Sequence, residues 1–140
     1  MNEIAHLGAR SGCCVREVLP TTYTDKRGTL MSLTFSDVGF EATRSFVVMG
    51  EQGAIRGGHA HRAGRQIVMV ASGRVRLHLV DHGENRLLDL PADARAVLLE
   101  PGVWAELTYL EPGSAIVVYC DTVFDPEDYL GDPIPESTQA

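Results

Sequence analysis

Cysteine, lysine, tryptophan and long apolar runs are all scarce in this chain of 140 residues, and each shortage removes a class of protein. The three cysteines, Cys13, Cys14 and Cys120, show neither the paired spacing of a zinc site nor an even framework for disulfides, so reduced thiols in a cytoplasmic protein are expected. No apolar stretch reaches the roughly eighteen residues that a membrane-crossing helix needs. The start, MNEIAHLGARSGCC, lacks the basic region and apolar run of a secretory signal, so a soluble protein with no membrane partner is expected. A formal charge of -7 speaks against a nucleic-acid partner, which would need clustered Lys and Arg. The basic residues are nearly all Arg, however, and several gather between 56 and 65. Forked guanidinium groups suit a local site for a phosphorylated small molecule even in an acidic chain.

Helix-forming windows are missing too: every one long enough is broken by Gly or Pro and is rich in β-branched residues. What is present is a series of short apolar runs, about ten residues apart, at 29–35, 44–50, 65–73, 74–81, 86–90, 94–100, 104–110 and 115–121. Within VRLHLV, Val75, Leu77 and Leu79 fall on one face and Arg76, His78 and Val80 on the other, as in a strand with one wetter side. ASGR reads as a tight turn, DHGEN as a hairpin loop, and EPG occurs twice at strand boundaries. The division expected is a flexible N-terminal arm (1–14), one all-β domain (15–130) and a polar C-terminal tail (131–140). Eight to ten strands leave a sandwich, a jelly roll or a small barrel open.

The stretch GAIRGGHAHRAGRQIVMVASG bears on both fold and function. Residues two apart on a strand share a face, so His59 and His61 point the same way. Such a pair suits a metal site, a proton-transfer site or merely a polar face. His6, His78 and His82 stand alone and read as surface or structural residues.

The spacing of Gly53, His59, His61, Gln66 and Gly73 resembles the first motif of the cupin superfamily, which implies a cupin-type jelly-roll β-barrel with the histidines at its mouth. Metal-binding members carry Glu at the position of Gln66, and a further His at the position of Ala105 in EPGVWAEL. A divalent ion usually takes three or more protein ligands, so two histidines alone imply a site without metal. Neutral imidazoles in a partly dry cavity are instead suited to moving protons.

Four blocks in order, DKRGTL (25–30), RGGHAHRAGRQ (56–66), EPGVWAE (100–106) and FDPEDYL (124–130), resemble the nucleotide-sugar 3,4-ketoisomerases, the WxcM-like or FdtA-type branch of the cupins. The resemblance implies an isomerase that moves the carbonyl of a dTDP-linked 4-keto-6-deoxyhexose from C4 to C3 through an enediol, with no cofactor. It also implies a homodimer with exchanged N-terminal strands. By this resemblance His61 is the leading base, His59 its partner, and Arg56 or Arg44 stabilises the developing enolate oxygen. Arg27 and Arg44 are expected at the diphosphate, Gln66 beside His61 and Trp104 at the base or in the core. Asp128 and Tyr129 are expected only to dock the last strand.

The chain departs from the family pattern at Ser45 and Phe46, where a Tyr is usual after the Arg, and at Ala105, where a His is usual. Sugar binding without catalysis, a related epimerisation, or a metal-dependent cupin reaction are the alternatives.

Overall fold

The computed structural model describes residues 3–6, 14–92 and 95–131. Two antiparallel sheets face each other. The larger has the order β1 (Glu3–His6), β2 (Val15–Leu19), β10 (Ala96–Leu99), β7 (Gln66–Ser72), β12 (Ala115–Cys120) and β5 (Arg44–Met49). The smaller has the order β13 (Tyr129–Leu130), β6 (Ile55–His61), β11 (Trp104–Tyr109), β8 (Arg74–Asp81) and β9 (Glu84–Pro91). A separate hairpin of β3 (Thr21–Asp25) and β4 (Gly28–Ser32) completes the strands among the described residues. Apart from the pairs β1–β2 and β8–β9, neighbours in each sheet are not consecutive in sequence, as in a jelly roll, and the all-β expectation holds.

The sequence pattern explains the layering. Val75, Leu77 and Leu79 alternate along β8 and are buried between the sheets, opposite Val68, Val70 and Val118. β7 is apolar at every position from Ile67 to Val70 because both its faces are covered. Val68 and Val70 face the interior, while Ile67 and Met69 pack outward beneath Val38 and Phe40. Each such aliphatic side chain contributes about 1.5–3 kcal/mol when withdrawn from water. The run expected at 29–35 ends early: β4 stops at Ser32, and Phe35–Val38 forms a short 3-10 turn closed by Gly39 at φ 65°. This turn supplies the apolar cover of β7's outer face.

Residues 3–6 of the expected arm pair with β2 of the same chain, His6 opposite Arg16. The rest of the arm up to Cys13, and the tail from 132, lie outside the described residues. Cys120 is a buried free thiol, Cys14 is partly exposed, and Cys13 lies outside the described residues. Among the described residues no helix is long and apolar enough to cross a membrane.

Candidate active site

A cavity of about 220 Å³ opens between the sheets, walled mainly by apolar side chains from both, including Val68, Leu77 and Ile116. Its polar lining comes from Arg56, His59, Gln66, Glu106 and Tyr129. A smaller annex of about 20 Å³ adjoins it, lined by His59, His61 and Gln66. The alternation of β6 places both imidazoles on the inner face as the sequence requires. Their rings meet edge to face with centroids 5.4 Å apart.

Arg56 reaches the same cavity for a reason that simple alternation does not give. It lies three positions before His59, an odd interval that would turn the two side chains to opposite faces. The register, however, runs Ala105 opposite His59, Glu106 opposite Gly57 and Leu107 opposite Arg56. Gly58 is thus an extra residue, a β-bulge, and parity is restored upstream of it. Gly57 and Gly58 have φ of 93° and 83°, which side chains rarely adopt, and a Cβ on Gly57 would stand 2.9 Å from the Ala105 carbonyl oxygen.

His61 is held from behind. Its Nδ1 lies 2.9 Å from Asp128 Oδ2, and Asp128 Oδ1 accepts the backbone N–H of Ala63 at 2.7 Å. Burial works against ionisation of Asp128, but the N–H groups of Ala63 and Gly64 and the imidazole outweigh it, so its carboxyl sits below the usual range. With Nδ1–H donating to this carboxylate, Nε2 of His61 carries the lone pair. That atom is buried and makes no hydrogen bond among the described residues. Gly64 permits the approach: a Cβ there would lie 2.9 Å from Asp128 Oδ2 and 2.8 Å from Thr122 Oγ1.

Tyr129 follows on β13, which pairs with β6 by setting Tyr129 opposite His61. Its ring lies 4.7 Å from that of His59 and 4.6 Å from that of His61. His59 is pushed towards its neutral form, first by burial and then by the nearby His61.

Arg44 stands at the edge of this group. Its guanidinium lies 5.3 Å from the Phe46 ring and 5.5 Å from the Phe124 ring, and Nη2 donates to Cys120 Sγ at 3.5 Å. Burial opposes its charge, but contacts with Tyr129 and Cys120 prevail and raise its pKa. Gln66 Nε2 donates to the same sulfur at 3.5 Å. Phe46 and Ala105 both line the cavity, so the two departures from the family pattern are departures in its wall.

Arg27 and Trp104 lie elsewhere. Arg27 is on the exposed β3–β4 hairpin, with Nη2 hydrogen-bonded to Asp25. The Trp104 ring packs against His78 with centroids 5.5 Å apart, and its Nε1 donates to the Gly131 carbonyl at 3.4 Å. Asp128 and Tyr129 are the site residues that pattern reasoning left out. Their signal was the FDPEDYL block itself, which brings a carboxylate and a phenol together.

Two facing antiparallel sheets with a histidine pair on the inner face of β6 define a cupin-type barrel. The chain belongs to the WxcM-like, C-terminal family of FdtA, whose model matches residues 15–134. It is 25% identical over 108 residues to a TDP-4-oxo-6-deoxy-alpha-D-glucose-3,4-oxoisomerase of Aneurinibacillus thermoaerophilus, covering 76% of this chain and 78% of that protein. Its fold matches the QdtA sugar 3,4-ketoisomerase of Thermoanaerobacterium thermosaccharolyticum, solved with TDP, with a TM-score of 0.78 at 22% identity, over 84% of this chain and 88% of that one. The NovW 4-keto-6-deoxy sugar epimerase of Streptomyces spheroides matches with a TM-score of 0.78 at 17% identity, over 98% and 84%.

Proposed function

We propose that this protein is a nucleotide-sugar 3,4-ketoisomerase, acting on a dTDP-linked 4-keto-6-deoxyhexose. The observation that carries the reading is the placement of His59 in the cavity wall, backed by His61 and the Asp128 carboxylate. A neutral imidazole removes the proton from C3 of the 4-keto sugar, and the electrons move to O4, giving an enediolate. Arg56, turned inward by the bulge, stabilises that oxygen as charge develops. O4 then takes a proton, C4 takes another and O3 gives up its own, which leaves a hydroxyl at C4 and the ketone at C3. The conversion is redox-neutral, so proton carriers are all that it requires.

The cavity wall favours a division of labour between the histidines. His59 lines the main cavity and meets the sugar, while His61 opens on the annex and exchanges protons behind it. Arg44, beside Tyr129 and Phe46, is the nearer cation for the diphosphate. Arg27 and Trp104, outside this cavity, serve it only if a second subunit brings them there. A homodimer with exchanged N-terminal strands is part of the proposal: β1 already pairs with β2 at a sheet edge, so the same strand from a partner has a ready register.

Incubation in deuterium oxide with the dTDP-linked 4-keto-6-deoxyglucose, followed by proton NMR, tests this. Deuterium is expected at the migrating position, absent with His59→Asn and slowed roughly 10–100-fold with His61→Asn. The opposite order would exchange the two roles. Nucleotide-sugar binding without any deuterium uptake by the native chain would replace catalysis by a binding function, the reading that Phe46 and Ala105 in the cavity wall favour.

A further inference from the structure

Cys14, Asp81 and His82 bring three chemically different donor atoms together away from the sugar cavity: Sγ, a carboxylate oxygen and Nδ1 lie within 4.8 Å of one another. Asp81 ends β8 and is 1% exposed, whereas Cys14 and His82 are partly open to solvent. Cys14 precedes β2, and its carbonyl accepts the Glu100 N–H at 2.8 Å, which fixes this end of the strand. His82 occupies the two-residue turn between β8 and β9 with φ 51°, left-handed backbone that is uncommon for histidine.

The geometry distinguishes two uses for such a group. A Cys–His–Asp relay would place the thiol on one ring nitrogen and the carboxylate on the other. Here both face the same atom: His82 Nδ1 lies 4.0 Å from Cys14 Sγ and 3.0 Å from Asp81 Oδ1. A relay is therefore not built, but convergence on a shared cation is. Tetrahedral zinc, with bonds of about 2.3 Å to sulfur and 2.0–2.2 Å to nitrogen and oxygen, sets its donors roughly 3.3–3.7 Å apart. The sulfur–nitrogen and nitrogen–oxygen separations need to change by about half an ångström or less, and the sulfur–oxygen separation lies within 4.8 Å. Arg86 Nη2 approaches the other carboxylate oxygen, Oδ2, at 3.9 Å, so that Oδ1 is the atom turned to the group.

We propose that Cys14, Asp81 and His82 form a binding site for a thiophilic divalent cation of the zinc class, which ties the start of β2 to the β8–β9 turn. On binding, the Cys14 thiol releases its proton to solvent, and the proton that His82 Nδ1 donates to Asp81 leaves that nitrogen, so that the ring ligates through Nδ1 and carries its proton on Nε2. Three protein ligands leave a fourth position for water. The site holds the barrel together where the N-terminal segment enters it, and it is separate from His59 and His61.

Titration of the reduced chain with cobalt(II) alone, followed by absorption, tests the proposal. One equivalent is expected to give thiolate-to-cobalt charge-transfer absorption that zinc(II) abolishes. Cys14→Ser removes this absorption. His82→Asn, a residue that tolerates the turn's backbone, weakens binding by roughly tenfold or more. The double variant His59→Asn, His61→Asn keeps it. Absence of the band in the native chain, its survival in Cys14→Ser, or unchanged affinity in His82→Asn would each overturn the site. Circular dichroism checks folding, and if Cys14→Ser does not fold, His82→Asn decides alone.

Discussion

Asp128 gives His61 both an orientation and a tautomer. An uncharged amide of the same shape would keep a contact with Nδ1 but no longer favour the same proton position or support an imidazolium. Asp128→Asn is therefore expected to slow solvent deuterium uptake roughly 10–100-fold while the affinity for dTDP is unchanged, as calorimetry would show. Loss of nucleotide affinity alone would make the contact a matter of packing. The same carboxylate shapes the acid limb of stability. Its folded pKa is lowered below 3.8, so the unfolded chain takes up the proton first. Its stabilising effect is complete above that value and is lost as pH falls below it. His59, lowered from 6.5, acts with the same sign at higher pH: its contribution is complete above 6.5 and is lost on acidification below it. Denaturant unfolding at stepped pH should show Asp128→Asn lacking the lower limb and His59→Asn lacking the upper one.

Strand β6 shows how one element can carry two incompatible intervals. His59 and His61 need a regular pleat, while Arg56 needs the pleat broken, and Gly58 accommodates both. Deleting Gly58 should restore an unbroken ladder with β11 and turn Arg56 to the outer face. Deuterium uptake is expected to fall at least tenfold with the fold retained, since the bulge contributes no core side chain. Unchanged uptake would remove Arg56 from the reaction. Much at this scale was legible beforehand. β8 follows its alternating pattern from Arg74 to Leu79 and departs from it at its end, where Val80, expected on the wetter face, is buried as well, and the runs at 44–50 and 104–110 contain β5 and β11. The inward turn of Arg56 was not legible, because alternation counts residues and cannot see a pairing partner. Nor was β13, whose two residues are too few to show a period. Asp128 was quoted within a family block, yet its role arises from a contact across 67 positions that no local pattern carries.

At the scale of the whole molecule, the β3–β4 hairpin pairs, among the described residues, only with itself, and it exposes the cross-strand pair Tyr23 and Leu30 at 65% and 58%. Val47 and Met49 on edge strand β5 are exposed at 59% and 72%. Apolar side chains on a hairpin and on a sheet edge mark surfaces suited to a second subunit. Light scattering is expected to give twice the chain mass of 15.2 kDa, with Leu30→Asp shifting the equilibrium towards single chains. A native chain that remains single at micromolar concentration would set the dimer aside, and with it any part for Arg27 at the sugar site.

The closure of β13 on β6 also orders events during synthesis. The histidines leave the ribosome well before Asp128 and Tyr129 are made, because 67 positions lie between His61 and its carboxylate. A nascent chain can assemble most of both sheets and still hold an unaimed imidazole. Competence therefore comes late, and a chain ending near residue 124 and released from the ribosome would hold both sheets of the barrel but lack the carboxylate that aims His61.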